Sequence, residues 1–144
     1  MTRLSWLGVV LSAVLMFGTP ARADDPTVSP TEWQAVIAGQ IQAFRMHDAA
    51  AALSFAGDEF KKTYTDHPEA FVAAIVASGY GPIVESRSQT FGEFRLIDPG
   101  QVVQEVKITG TNQAIYEAFY ILGKETGAWR VHGVQLAKTQ GLGV

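Results

Sequence analysis

The sequence is 144 residues long, with 11 Lys and Arg against 14 Asp and Glu, and it contains no cysteine. Disulfides, thiolate metal sites, cysteine nucleophiles and lipid attachment at a cysteine are therefore excluded together. The basic residues are scattered, Lys61-Lys62 being the only adjacent pair, which argues against a surface for nucleic acid or anionic lipid, since either needs clustered positive charge.

In chain order, residues 1–23 come first and have the layout of a cleavable signal peptide. Arg3 supplies a positive start, Leu4 to Phe17 is uncharged and apolar, and Ala21-Arg22-Ala23 presents small residues at the two positions a signal peptidase reads. Cleavage after Ala23 is expected, releasing a periplasmic or secreted chain with no membrane attachment. The competing reading, an uncleaved anchor, rests on 18 uncharged residues from Leu4 to Ala21, close to the ~20 apolar residues a bilayer requires. Gly18-Thr19-Pro20 breaks that run, and the single preceding arginine excludes a twin-arginine signal. Cleavage leaves 121 residues carrying 9 basic and 14 acidic side chains, enough for one domain to bury about two-thirds of its unfolded surface. Residues 24–28 read as a linker, 29–138 as a single α+β domain and 139–144 as a C-terminal tail.

The first helix carries clear start signals. Ser29 is placed as N-cap, Pro30 at the first helical position and Glu32 three residues after the cap, the pattern of a capping box. Val28 and Trp33 are placed for a hydrophobic staple. Trp33, Val36, Ile37, Ile41 and Phe44 recur at spacings of three and four, giving one apolar stripe on a helix from Pro30 to Met46. Asp48 is predicted to cap Ala49 to Ala56, with Gly57 ending that helix, and Asp58 to cap a further turn through Tyr64. Asp66 and Glu69 form a second predicted box around Pro68, opening a helix through Phe71, Ile75 and Val76 that stops at Gly79. Gly81-Pro82 then breaks the pattern.

Beyond Tyr80 the chain reads as extended segments separated by turns. Phe91 to Ile97 is closed by Asp98-Pro99-Gly100; in the next strand Val102, Val106 and Ile108 share a parity with Gln104 between them. Ala114 to Leu122 is apolar on both faces, with Ile115, Phe119 and Ile121 on one and Tyr116, Ala118, Tyr120 and Leu122 on the other, so both sides call for a cover. The helices reach one side. A twofold homodimer packed sheet to sheet would supply the other, as would the Tyr80 to Thr90 segment or the Gln140 to Val144 tail folding back. In the last strand, Ala128 to Leu136, Trp129 and Val131 fall on one parity and Val134 and Leu136 on the other. A bulge at His132-Gly133 would reconcile them and curve the sheet, the alternative being a straight strand in which Gly133 makes room for a neighbour.

Helices followed by an antiparallel meander define an α+β class, with N-terminal helices packed on one face of a strongly curved antiparallel sheet. Gln40-Ile41-Gln42-Ala43-Phe44, Asp48-Ala49-Ala50-Ala51-Ala52, Phe55-Ala56, Pro68-Glu69 with Phe71, Gly79-Tyr80 and the closing Trp129 to Leu136 resemble the bacterial family called domain of unknown function 4864, over about Ile37 to Leu136. More distantly, the layout resembles the nuclear-transport-factor-2-like, cystatin-like α+β cone. That superfamily holds isomerases, dehydratases and hydrolases beside non-catalytic binding domains, so the resemblance implies a cone without choosing a function.

Recognisable catalytic motifs are missing. Ser78-Gly79 lacks the preceding glycine of a nucleophile elbow, no His-Glu-x-x-His occurs and no glycine-rich phosphate loop follows a strand; no cofactor is expected. Of the three histidines, His47 and His67 stand beside Asp48 and Asp66, where helix capping accounts for the aspartates more simply than a metal site without ligand spacing. Phe44, Tyr80, Tyr116, Tyr120 and Trp129 would line an apolar cavity carrying a few hydroxyls, or else form plain core. Glu117, between Ile115 and Phe119, reads as a buried general base or as a partner of Arg130 on the next strand. His132 would be re-aimed by the bulge towards the site, or be simply structural. The first functional reading is a non-catalytic exported domain binding a small apolar or amphipathic ligand, or a protein partner, through its concave face. The others are a small lyase, isomerase or hydrolase working in the same cavity, and a structural subunit of an envelope assembly.

Overall fold

The computed structural model describes residues 29–138. The predicted signal peptide, the linker with Val28 of the staple, and the C-terminal tail lie outside the described residues. Helix α1 (Pro30–Arg45) is followed by three shorter helices, α2 (Ala49–Ser54), α3 (Asp58–Tyr64) and α4 (Pro68–Ile75). A π-helical turn, Val76–Tyr80, then leads into α5 (Gly81–Val84). Four strands complete the described residues: β1 (Ser88–Asp98), β2 (Gln101–Thr109), β3 (Ile115–Glu125) and β4 (Ala128–Lys138), forming one antiparallel sheet in sequence order. The α+β arrangement expected from the sequence is the one observed.

The apolar stripe of α1 does what its spacing predicts: Trp33, Ile37, Ile41 and Phe44 are buried against the sheet. The predicted caps fare unevenly. Asp48 caps α2, its carboxylate accepting from the Ala51 N–H at 3.0 Å. Ser29 makes no side-chain cap; its hydroxyl pairs with Thr31 Oγ1 at 2.8 Å, and Glu32 is drawn instead to the Trp129 indole, whose Nε1 donates to Glu32 Oε1 at 3.2 Å. The tertiary partner wins because an exposed cap bond competes with water, whereas Trp129 is only 6% exposed. Asp58 is the first residue of α3, after Gly57, and His67, not Asp66, occupies the N-cap position of α4; neither helix has a side-chain cap. Gly79 does not stop the chain. It takes φ +94°, a left-handed conformation that glycine adopts without strain, inside the π-helical turn, and Pro82 sits at the start of α5.

Two bulges within the strands bend the sheet, and a third register shift, between Leu96 and Asp98, lies next to the β1–β2 turn. Tyr120 pairs with Val134, Ile121 with Gly133 and Leu122 with Val131, so His132 is the extra residue on β4. Trp129 and Val131 on one side of it and Val134 and Leu136 on the other thereby meet the same core, as the parity change requires. A second bulge lies at Gly92-Glu93 of β1, between the pairs Phe91–Val106 and Phe94–Gln104. One sheet face, carrying Val102, Gln104, Val106, Ala118, Tyr120 and Leu122, is buried under the helices. The opposite face presents Val103, Ile115, Phe119 and Ile121 half-buried. The Tyr116–Tyr120 set is therefore concave and the Ile115–Phe119–Ile121 set convex. The Tyr80 to Thr90 segment does not fold over the convex face: Ile83 and Val84 of α5 join the core beneath the helices.

Gln104 holds this curvature. It is fully buried at the parity that is otherwise apolar. Its Oε1 accepts from Trp33 Nε1 at 2.7 Å and from Gln34 Nε2 at 3.2 Å, while its Nε2 faces the carbonyls of Gly92 at 3.0 Å, Glu93 at 3.3 Å and Glu105 at 2.9 Å. An indole N–H only donates, which fixes the orientation of the amide. One side chain thus ties α1 to backbone carbonyls of the β1 bulge, Gly92 and Glu93, and of Glu105 on β2.

Candidate functional site

The concave side has two ends. At one, Trp33 packs edge-on against Phe94 (centroids 5.1 Å) and Trp129 (5.3 Å), with Gln104 beneath, and the space is filled. At the other, α3, α4 and the π-helical turn stand away from the sheet and leave a cavity of about 320 Å³ that opens to the surface, at the small end of the ~300–1,000 Å³ range of ligand sites.

Its floor is Tyr120 of β3, Ile83 of α5 and Gln40 and Phe44 of α1, all buried. One wall is aromatic: Phe60 and Tyr64, one helical turn apart on α3, both approach Phe71 of α4 with centroids 5.7 Å away. The wall opposite is Val131, Gly133 and Val134, presented by the β4 bulge. Half-buried Ile75 and Tyr80 and exposed Ser78 complete the lining from α4 and the π-helical turn.

The lining is almost wholly apolar or aromatic, and none of it is Asp, Glu, Lys, Arg or His. Two buried polar groups border the space. Gln40, 3% exposed, donates from Nε2 to the Ala52 carbonyl at 3.0 Å, tying α1 to α2. Tyr120 is 1% exposed, and burial pushes its phenol well above the ordinary tyrosine pKa, so the hydroxyl stays protonated and able to donate.

Of the seven residues singled out from the sequence, Phe44, Tyr80 and Tyr120 line this cavity, and the other four do not. Trp129 is spent in the filled end, edge-on to Trp33 with Lys124 Nζ 5.3 Å from its ring centroid. Tyr116 is on the concave parity but opposite Ile108 and Lys138, beyond the helices that close the cavity. Glu117 is exposed on the convex face, opposite Lys107 and Ala137, so it is neither a buried base nor a partner of Arg130. Arg130 instead donates to the Trp129 carbonyl at 2.9 Å. His132 is re-aimed by its bulge, but away from the cavity: its Nε2 lies 2.6 Å from Glu125 Oε2, and its ring is wedged between Gly57 and Gly123, where a Cβ would come within 2.8 Å and 2.5 Å of it. Glu125 Oε1 in turn accepts from the Asp58 N–H at 3.1 Å. The histidine therefore locks the bulge to the start of α3, a structural task.

Sequence reasoning missed Gln40, Phe60 and Tyr64 as cavity residues. The i, i+4 pair of aromatics on a helix otherwise made of charged residues and Thr63 was the available signal. No group of metal-ligating side chains is present among the described residues.

These features define an α+β domain with a cystatin-like cone, helices covering the concave face of a bent four-stranded sheet. The chain belongs to the family described as Domain of unknown function (DUF4864), which matches it over residues 27–144. In structure it is similar to a domain of unknown function with a cystatin-like fold from Nostoc punctiforme PCC 73102, with a TM-score of 0.54 and 13% identity over 81% of this chain and 82% of that one. A second similar structure is a DUF4783 family protein from Bacteroides ovatus ATCC 8483, with a TM-score of 0.48 and 13% identity over 72% of this chain and 96% of that one. The fold assignment rests on the former. No curated protein matches the sequence.

Proposed function

We propose that this is an exported binding domain that holds a small apolar or amphipathic ligand in the cavity between Tyr120 and the Phe60–Tyr64–Phe71 wall. The observation that carries the reading is the contrast between the two ends of one concave face. Closing the cavity would have been simple, since the other end of the same sheet is packed solid by Trp33, Phe94 and Trp129. Interiors are ordinarily close-packed, and an apolar void gives up dispersion contacts along its lining. Occupation by a ligand restores them. Export is argued from Arg3, the Leu4 to Phe17 run and the Ala21-Arg22-Ala23 cleavage pattern.

Native mass spectrometry of the full-length gene product, purified from the envelope fraction, tests the whole reading. The expected result is a chain beginning at Asp24 with a small-molecule adduct that organic solvent strips away. A bare chain that also fails to take up Nile red, a neutral apolar dye, refutes the ligand site, intact Met1 on membrane-bound material refutes export, and stoichiometric co-purification of another protein favours the assembly subunit.

A further inference from the structure

The two polar residues on the cavity floor narrow the chemistry of what fits there. Tyr120 is 1% exposed, borders the cavity, and its hydroxyl has no hydrogen-bond partner among the described residues. Gln40, 3% exposed, commits its amide N–H to Ala52, leaving its Oε1 without a partner among the described residues. Buried polar groups are almost always paired, and each that is left unpaired weakens the fold. Phenylalanine in place of Tyr120 would fill the same core without that penalty. The phenol therefore carries a desolvation cost that phenylalanine would avoid, and the residue that carries it lines the aromatic cup.

We propose that the cavity takes an uncharged molecule whose apolar body fills the Phe60–Tyr64–Phe71 cup and whose carbonyl or hydroxyl oxygen is held by the Tyr120 phenol, an inference that rests on the ligand-binding reading above. Charge is disfavoured because the lining offers no ionised partner to a carboxylate or an ammonium, and stripping an ion of water without a partner is prohibitive. A compact apolar body matches a cavity of about 320 Å³. Burial of Tyr120 keeps its proton in place and makes it a donor; the open Gln40 oxygen beside the same space accepts from a ligand O–H.

Three naphthalene probes of nearly equal size separate the possibilities by fluorescence titration: 2-acetylnaphthalene, neutral with a carbonyl; 2-ethylnaphthalene, without oxygen; and 2-naphthoate, an anion. Wild type is expected to bind the ketone at least about tenfold more tightly than the naphthoate, and Tyr120→Phe to lose about tenfold for the ketone while binding the hydrocarbon as before. Tyr120→Phe should also melt at the wild-type temperature or above it, because it removes an unpaired buried group. Undiminished ketone binding by Tyr120→Phe, or naphthoate binding as tight as the ketone, overturns this inference and leaves the apolar cavity standing. Failure of all three probes to bind wild type overturns the cavity reading and this inference together. Should Tyr120→Phe not fold, the ketone-to-naphthoate ratio on wild type decides.

Discussion

Replacing Gln104 by leucine removes a polar side chain buried in the middle of the sheet without opening a cavity of any size. The Trp33 indole N–H, 2.7 Å from Gln104 Oε1 and on a residue only 2% exposed, would have no other partner. Orphaning such a donor costs about 1–3 kcal/mol. The amide bonds to the Gly92 and Glu105 carbonyls, at 3.0 Å and 2.9 Å, are lost as well, each worth about 0.5–1.5 kcal/mol. The total is about 2–6 kcal/mol, a large share of the ~5–15 kcal/mol that stabilises a domain. Urea unfolding should show a lower midpoint with an unchanged slope. Trp33→Phe removes the donor instead of the acceptor, so a double-mutant cycle between the two sites should give a coupling of about 1–3 kcal/mol. A loss below about 1 kcal/mol for Gln104→Leu, or strict additivity in the cycle, would refute the account of Gln104 as the tie between α1 and the β1 bulge.

Two caps make a matched pair: Asp48→Ala should cost about 1 kcal/mol because Asp48 receives the Ala51 N–H, whereas Ser29→Ala should stay within about 0.5 kcal/mol of wild type, its hydroxyl capping nothing; equal losses in urea would contradict the geometry. Alkaline titration reports on Tyr120. Its folded pKa is raised by burial, so above the unfolded tyrosine value of ~10 the unfolded chain releases a proton that the native chain keeps, and stability falls by about 1.4 kcal/mol per pH unit from this group alone. The Tyr120→Phe curve should lack that slope, so the difference between the two curves isolates it, and parallel curves would show that the phenol is solvated. On the convex face, half-buried Val103, Ile115, Phe119 and Ile121 lie together, and we propose a sheet-to-sheet twofold dimer; sedimentation equilibrium at micromolar concentration should find dimer mass, and a single species at monomer mass rejects it.

The parts of the fold legible in the sequence were those written in local periodicity. The stripe from Trp33 to Phe44 and the phase change around His132 each involve one segment and one rule, and both led to the observed arrangement. Capping went astray where a distant group intervened: nothing near Glu32 in the sequence announces that Trp129 will claim it. The same limit governed the site. Phe44 was reachable because it ends the apolar stripe of α1 and Tyr120 because it stands on one of the two apolar faces of β3, but which end of the concave face would be filled depended on where Trp129 met Trp33, a contact between the first and last elements. Tyr116 and Glu117 were misplaced for related reasons, since strand parity separates the two faces but says neither how far along one the helices reach, which leaves Tyr116 outside, nor which one they cover, which leaves Glu117 exposed.

The two bulges also have a bearing on how the protein coexists with copies of itself. With strands in the order β1-β2-β3-β4, both bulges fall on the outermost strands, the ones whose free N–H and C=O groups could template another chain. On β4 the open side is further occupied by Phe55 to Gly57, which exchange hydrogen bonds of 2.9 Å and 3.0 Å with Val131. On β1 the run is kinked at Gly92-Glu93 and followed by exposed Arg95. Neither rim presents a long, straight, uncharged stretch of the kind that recruits strands into aggregates. For a chain with no cysteine to staple it, the irregularities that shape the cone double as its protection against edgewise polymerisation.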